Sequence, residues 1–157
     1  MTFKIFIDTE FTDFIDPQLI SIGMAAESGE TFYAELPYDR ARCSQFVRDV
    51  VIPLLENTPE SLASPDDLYI QISNWLRIVR PSNESIDICF DYQTDWDLFS
   101  RAFDHHVPSW CNSRLIGSNI NELLRYEFHK KNQLPEHHAL NDARANCYAF
   151  REHPSLS

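Results

Sequence analysis

Phe3-Lys4-Ile5-Phe6-Ile7-Asp8-Thr9-Glu10 is an apolar run that ends in two carboxylates. Its first five residues read as a buried strand, and in a strand the side chains at i and i+2 share a face. Asp8 and Glu10 therefore point the same way at the strand's end. At about 4 Å two like charges repel by roughly 1 kcal/mol in water and about 4 kcal/mol at an effective dielectric near 20. A divalent cation is the natural relief for such a pair. The competing reading, a solvated strand end, is the common fate of an isolated D-x-E, so the pair gains weight only in company.

That company is His137-His138-Ala139-Leu140-Asn141-Asp142-Ala143-Arg144 near the other end of the chain. The pattern reads as a histidine entering a helix that carries an inward-facing acid. His137 precedes Asp142 by five residues and can sit on the loop before the helix, while Asp142 projects from the second turn beside Ala139. A third acidic stretch, Asp91-Tyr92-Gln93-Thr94-Asp95-Trp96-Asp97, follows the run Ile86–Phe90.

Between these segments the pattern alternates. Runs at 3–9, 18–26 and 31–36 predict an antiparallel meander, with Gly29 turning the chain between the last two. Phe46, Val47, Val50 and Val51 predict a helix ending near Pro53. A better-marked helix starts with Ser64 as cap and Pro65 at its first position, carries Leu68, Ile72, Trp75, Leu76 and Val79 at helical spacing, and stops at Pro81. A strand over 85–91 and helices over about 95–103, from near 119 through Phe128, and over about 139–151 complete an α/β layer fold with a mixed sheet: meander first, then strands alternating with helices.

Composition narrows the classes. The chain has 157 residues, of which 43% are apolar, enough for one domain burying about 70% of its unfolded surface. We expect a single domain over 1–152 and a short tail over 153–157. Cys43, Cys89, Cys111 and Cys147 lie far apart with no C-x-x-C, which argues for reduced, buried thiols over a disulfide framework or zinc knuckle. No apolar stretch is long enough to span a bilayer, and with no apolar leader the expectation is a cytoplasmic protein without membrane contact. The net charge of −11 disfavours non-specific nucleic-acid binding, although metal-binding acids supply part of it. His129, Lys130 and Lys131, with Arg125 a turn earlier, form a small cationic run that reads either as a landing strip or as the favourable end of a helix.

The three acidic segments, taken in order, resemble the motifs of the DEDDh 3′-to-5′ exonucleases, which have a ribonuclease-H-like fold. Asp8-Thr9-Glu10 matches the first motif, Asp95 followed by Trp96, Asp97, Leu98 and Phe99 the second, and His137-x-Ala-x-x-Asp142-Ala143 the third. The short length and the runs Ile7–Phe11 and Leu19–Gly23 look most like the small stand-alone bacterial exoribonucleases also found in mycobacteria. The resemblance implies a metal-dependent exonuclease, acting on single-stranded RNA or DNA 3′ ends and more in the manner of an exoribonuclease. Asp8, Glu10, Asp95 and Asp142 would hold two divalent ions, Mg²⁺ or Mn²⁺, with His137 as general base. Many family members carry Asn where this chain has Asp91, which leaves Asp91 and Asp95 as alternatives for the second-motif acid.

The chemistry fits those residue types. Two metal ions roughly 3.5–4 Å apart can activate water, neutralise the phosphorus centre and stabilise the leaving oxygen. An imidazole with an ordinary pKa near 6.5 can take the water's proton at neutral pH. Thr9, Phe11 and Thr12 flank the metal pair as candidate substrate contacts. Phe11 is read either as a stacking platform for a terminal base, worth about 1–3 kcal/mol in any sequence, or as core. A homodimer in which Lys130 and Lys131 serve the partner's acidic site is a further expectation. Two rival functions are a phosphatase of the haloacid-dehalogenase type, from the likeness of residues 5–12 to a strand ending in D-x-D-x-T, and a catalytically inactive ribonuclease-H-like module that only binds nucleic acid.

Overall fold

The computed structural model describes residues 2–153; of the expected tail, residues 154–157 lie outside the described residues. Five strands form one mixed sheet in the order β3-β2-β1-β4-β5. The three strands of the meander are β1 (Phe3–Phe11), β2 (Leu19–Ala26) and β3 (Thr31–Glu35), all antiparallel neighbours. Gly29, at φ +108°, makes the turn between β2 and β3. On the other side of β1, β4 (Ile86–Phe90) and then β5 (Cys111–Leu115) pair in parallel. The chain is thus an α/β protein with the mixed sheet that its pattern predicts, in the ribonuclease-H-like arrangement that the resemblance implies.

Strand parity sorts the two faces. Ile5, Ile7, Ile22, Met24, Ile86 and Ile88 point to one side, where α1 (Pro65–Val79) and α2 (Gln93–Ala102) cover them with Leu68, Ile72, Leu76 and Phe99. Burying each such aliphatic or aromatic side chain contributes about 1.5–3 kcal/mol. Ser64 accepts the backbone N–H of Asp67 as the cap of α1, as its position before Pro65 predicts. Phe6, Asp8 and Glu10 point to the opposite side, which α3 (Glu122–Asn132) and α4 (Ala139–Ala149) cover. The inner face of α4 is built from alanines, Ala139, Ala143 and Ala149 among them, all fully buried, so the helix lies close to the strands.

Two segments depart from expectation. The helix predicted around 46–53 is a π-helical turn at Val47–Val51 followed by a 3₁₀ turn at Ile52–Leu54. Pro53 has no N–H to donate and its ring crowds the carbonyl four residues earlier, so a regular α-helix cannot pass through it. Val47 and Val51 are nevertheless buried, against Ile20 and Cys43. The strand β5 was not expected at all, because Cys-Asn-Ser-Arg-Leu is a mostly exposed sheet edge with no apolar alternation to announce it. Cys43, Cys89 and Cys111 are buried free thiols, and Cys147 is partly buried.

Candidate active site

The carboxyl end of β1 opens into a cavity of about 510 Å³ that lies where the two helical layers part. Asp8 and Glu10 enter it from β1, Asp91 and Asp95 from the β4–α2 connection and the first turn of α2, His137 from the loop before α4, and Asp142 from α4 itself. Asp8, Asp91 and Asp95 can each offer an oxygen within 4.8 Å of one another, and so can Glu10, His137 and Asp142 with their oxygens and ring nitrogen. Residues more than 130 positions apart in the chain therefore share one chamber.

Asp91 and Asp95 both face Asp8, with different partners. Asp91 Oδ2 is paired with Arg125 Nη1 at 3.0 Å. Asp95 Oδ1 accepts the Thr9 hydroxyl at 2.5 Å, while its Oδ2 is buried without a hydrogen-bond partner among the described residues. A buried, unserved carboxylate oxygen costs several kcal/mol unless a proton or cation reaches it. Hard oxygen donors with such an open position could hold a divalent cation.

The electrostatics follow from this crowding. Burial, reinforced by Asp95, Asp142, Glu10 and Asp91, holds the Asp8 carboxyl well above its ordinary range. Burial, with Asp142 and Asp95 adding, pushes Glu10 up to about 8. Asp95 is pushed up to about 7 by burial, with Asp91 adding and the Thr9 hydroxyl opposing. Asp142 reaches about 7 for the same first cause, opposed by the backbone N–H of His137. Four carboxyls raised together by desolvation and mutual repulsion form a cluster that a cation would relieve.

His137 stands at φ +67°, a left-handed backbone that non-glycine residues rarely adopt. Its N–H donates to Asp142 Oδ2 at 3.0 Å, and its ring meets Phe46 edge-on with centroids 5.0 Å apart. His138 packs the start of α4. Its Nδ1 accepts the Asn141 N–H at 3.5 Å to cap α4, and burial lowers its pKa against the opposing pull of Glu56 and Glu35.

The other candidates divide. Thr9 is buried and serves Asp95, and Phe11 lines the cavity with its ring edge-on to Phe14 at 5.1 Å. Thr12 is not brought to the cavity: it is fully buried, its hydroxyl accepts the Gln18 N–H at 3.0 Å, and it secures the β1–β2 connection. His129 leaves the expected cationic run for the same kind of reason. It is buried on the inner side of α3, with Nδ1 donating to the Leu134 carbonyl at 2.9 Å and Nε2 at 3.4 Å from Asp142 Oδ1. Arg125, one turn earlier on the same face, is held by Asp91, Glu122 and Asn146. Lys130 and Lys131 lie over the rings of Tyr126 and Tyr148 on the outer surface.

Sequence reasoning missed Phe14 and Tyr92, exposed aromatics on the cavity rim that carry no periodicity signal, and it read Phe46 as part of a helix's apolar face where the structure exposes it on the same rim. It also missed Gly23. This residue pairs with Asp8 in the sheet register, and a Cβ there would lie 2.3 Å from Leu140 N and 2.4 Å from Ala139 C. A glycine inside an otherwise apolar strand signals such a close approach.

Compared with known proteins, the chain matches no family model and no curated sequence. Among solved structures it is similar to cell-death related nuclease 4 (CRN-4), with a TM-score of 0.53 and 13% identity over 92% of this chain. The likeness is one of fold. The match covers 61% of the CRN-4 chain, so this protein spans about three fifths of that one's length. Among the described residues no helix is long and apolar enough to cross a membrane.

Proposed function

We propose that this protein is a metal-dependent 3′-to-5′ exonuclease that releases nucleoside 5′-monophosphates from single-stranded ends, with a preference for RNA over DNA. The observation that carries the reading is the convergence of Asp8, Glu10, Asp95, Asp142 and His137 on one cavity with an unserved carboxylate oxygen inside it. The fold it shares with a nuclease adds support.

Asp8 with Asp91 and Asp95, and Glu10 with Asp142, would hold divalent ions, two in our reading and Mg²⁺ or Mn²⁺ by their all-oxygen donors. Such ions neutralise the phosphate and make water a better nucleophile. His137 takes the proton as the water oxygen bonds to phosphorus; the bond from phosphorus to the 3′ oxygen breaks, that oxygen takes a proton from solvent, and a shortened chain with a 3′-hydroxyl departs from the released 5′-monophosphate, after which His137 returns its proton to solvent. General-base assistance of this kind contributes about 10²–10⁴-fold. Phe11, with Phe14 and Tyr92 beside it, offers ring faces and edges to a terminal base of any identity. The proposal takes residues 1–152 as one exonuclease domain, cytoplasmic and homodimeric, with Lys130 and Lys131 reaching the partner's site.

The test compares wild type and Asp8→Ala on 5′-labelled single-stranded RNA and DNA with Mg²⁺, Mn²⁺ or chelator. The expected result is a metal-dependent ladder shortening from the 3′ end, faster on RNA and absent in the variant. Binding without turnover in any metal would replace this reading with the inactive binding module. Release of phosphate from a small phosphomonoester alone would favour the phosphatase, which leaves the His137 and Asp142 convergence unexplained.

A further inference from the structure

We infer that Tyr33 and His138 are positioning residues for His137, a latch between the sheet edge and the proposed general base. The inference rests on the exonuclease reading of His137.

The latch begins in one row of the sheet. Tyr33 on β3 is the register partner of Gly23 on β2, and Gly23 is the partner of Asp8 on β1, so the three side-chain positions stand in line on the face that α4 covers. Each meets a successive part of the α4 entry. The His138 ring stacks on Tyr33 with centroids 4.5 Å apart and planes 19° from parallel. Leu140 and Ala139 rest on Gly23, and Asp142 reaches the acidic cluster around Asp8.

Both rings are fixed on their other sides. Tyr33 donates its hydroxyl to Glu35, which is buried and also accepts the backbone N–H groups of Glu56 at 2.6 Å and Asn57 at 2.9 Å. His138 Nδ1 accepts from Asn141, which leaves the ring hydrogen on Nε2, 3.9 Å from Glu56 Oε2. The same short loop thus serves Tyr33 through Glu35 and faces His138 through Glu56.

The residue next to this anchored ring is the one that needs holding. A left-handed backbone is unfavourable at a residue with a Cβ, and His137 adopts it at φ +67°. Its N–H bond to Asp142 and its contact with Phe46 restrain one side; the stacked His138 restrains the other. Released from Tyr33, the loop can return to negative φ and carry the imidazole away from the cavity. A shift of about 1 Å in a reacting group costs on the order of 10²-fold in rate; of the proposed metal-binding carboxylates only Asp142 is touched, through its bond to the His137 N–H.

Four variants test this in the full chain. His138→Asn keeps a cap acceptor and removes the stacked ring, Tyr33→Leu removes the platform, and Tyr33→Phe and His138→Phe keep the stack. His138→Asn and Tyr33→Leu are expected to lower kcat about ten- to a hundredfold, with KM and Mn²⁺ affinity by paramagnetic resonance within about twofold. The two phenylalanine variants are expected to recover most of kcat. Amide hydrogen exchange, which needs no turnover, should be at least tenfold faster at His137 in His138→Asn while Ala143 stays protected. Wild-type kcat in His138→Asn, or exchange at His137 unchanged, overturns the latch. A loss of melting temperature and Mn²⁺ affinity in step with kcat overturns it too, since that is a general structural role. If wild type itself shows no turnover, the exonuclease reading fails, and the exchange rates still decide whether the latch exists.

Discussion

At the scale of the residue, the raised carboxyls make a prediction whose sign is fixed. Glu10 at about 8, and Asp95 and Asp142 at about 7, hold protons in the folded state well above the value near 4 that they have unfolded. The folded state therefore binds more protons between pH about 4 and about 8, and their contribution to stability is full below that window and lost as pH rises through it. In chelator, thermal midpoints should fall by several degrees from pH 5 to pH 8, and saturating Mn²⁺ should restore most of the loss at pH 8 because the ion takes the proton's place. A midpoint that rises with pH in chelator would contradict this. These residues were legible for specific reasons: strand parity puts Asp8 and Glu10 on one face, and helical spacing puts Asp142 behind His137. Thr12 was misplaced because proximity along the chain says nothing about which way a residue turns once the strand has ended. The choice between Asp91 and Asp95 could not be read from spacing, since the β4–α2 connection turns both toward Asp8.

At the scale of the element, the decisive contact is α4 on β2. Gly23→Ala would drive a methyl group into the backbone of Ala139 and Leu140, which cannot move aside as a side-chain tip can. Overpacking of this kind costs about 1–3 kcal/mol. We expect a lower melting temperature and, because α4 carries Asp142, a weaker Mn²⁺ affinity; calorimetric titration showing wild-type affinity in a destabilised variant would separate the two and defeat the argument. Elements with a strong apolar period, α1 above all, were readable from sequence to within a residue or two. The π turn at Val47–Val51 was not, because its apolar spacing is helical and only Pro53 hints that the hydrogen bonds must slip. The edge strand β5 was not, because its pairing is made by backbone groups that any sequence carries.

At the scale of the whole molecule, a net charge of −11 constrains how the proposed polyanionic substrate would be held. Arg125, the arginine lining the cavity, is already committed to Asp91 and Glu122, so few phosphates can be neutralised by protein cations. Single-strand binding weakens with salt by a slope near −0.7 per phosphate contacted. With one or two such contacts, raising monovalent salt from 50 to 200 mM should raise KM by less than about tenfold at fixed divalent ion, as initial rates on a labelled oligonucleotide would show. A far steeper dependence would point to an extended basic track elsewhere on the surface.

The sheet also carries its own internal control. Glu10, Ser21 and Glu35 are register partners across β1, β2 and β3, so two glutamates stand in one row of the same face. Glu35 is surrounded by donors from two hydroxyls and two backbone N–H groups; Glu10 is surrounded by other acids. A chain able to furnish one buried carboxylate so completely, two strands away from another left in want, has distributed its hydrogen bonds unevenly across a few ångströms. That asymmetry alone separates the scaffold from the proposed site, and a search for sites of this kind in other folds can begin by asking which acids in a row have been provided for and which have not.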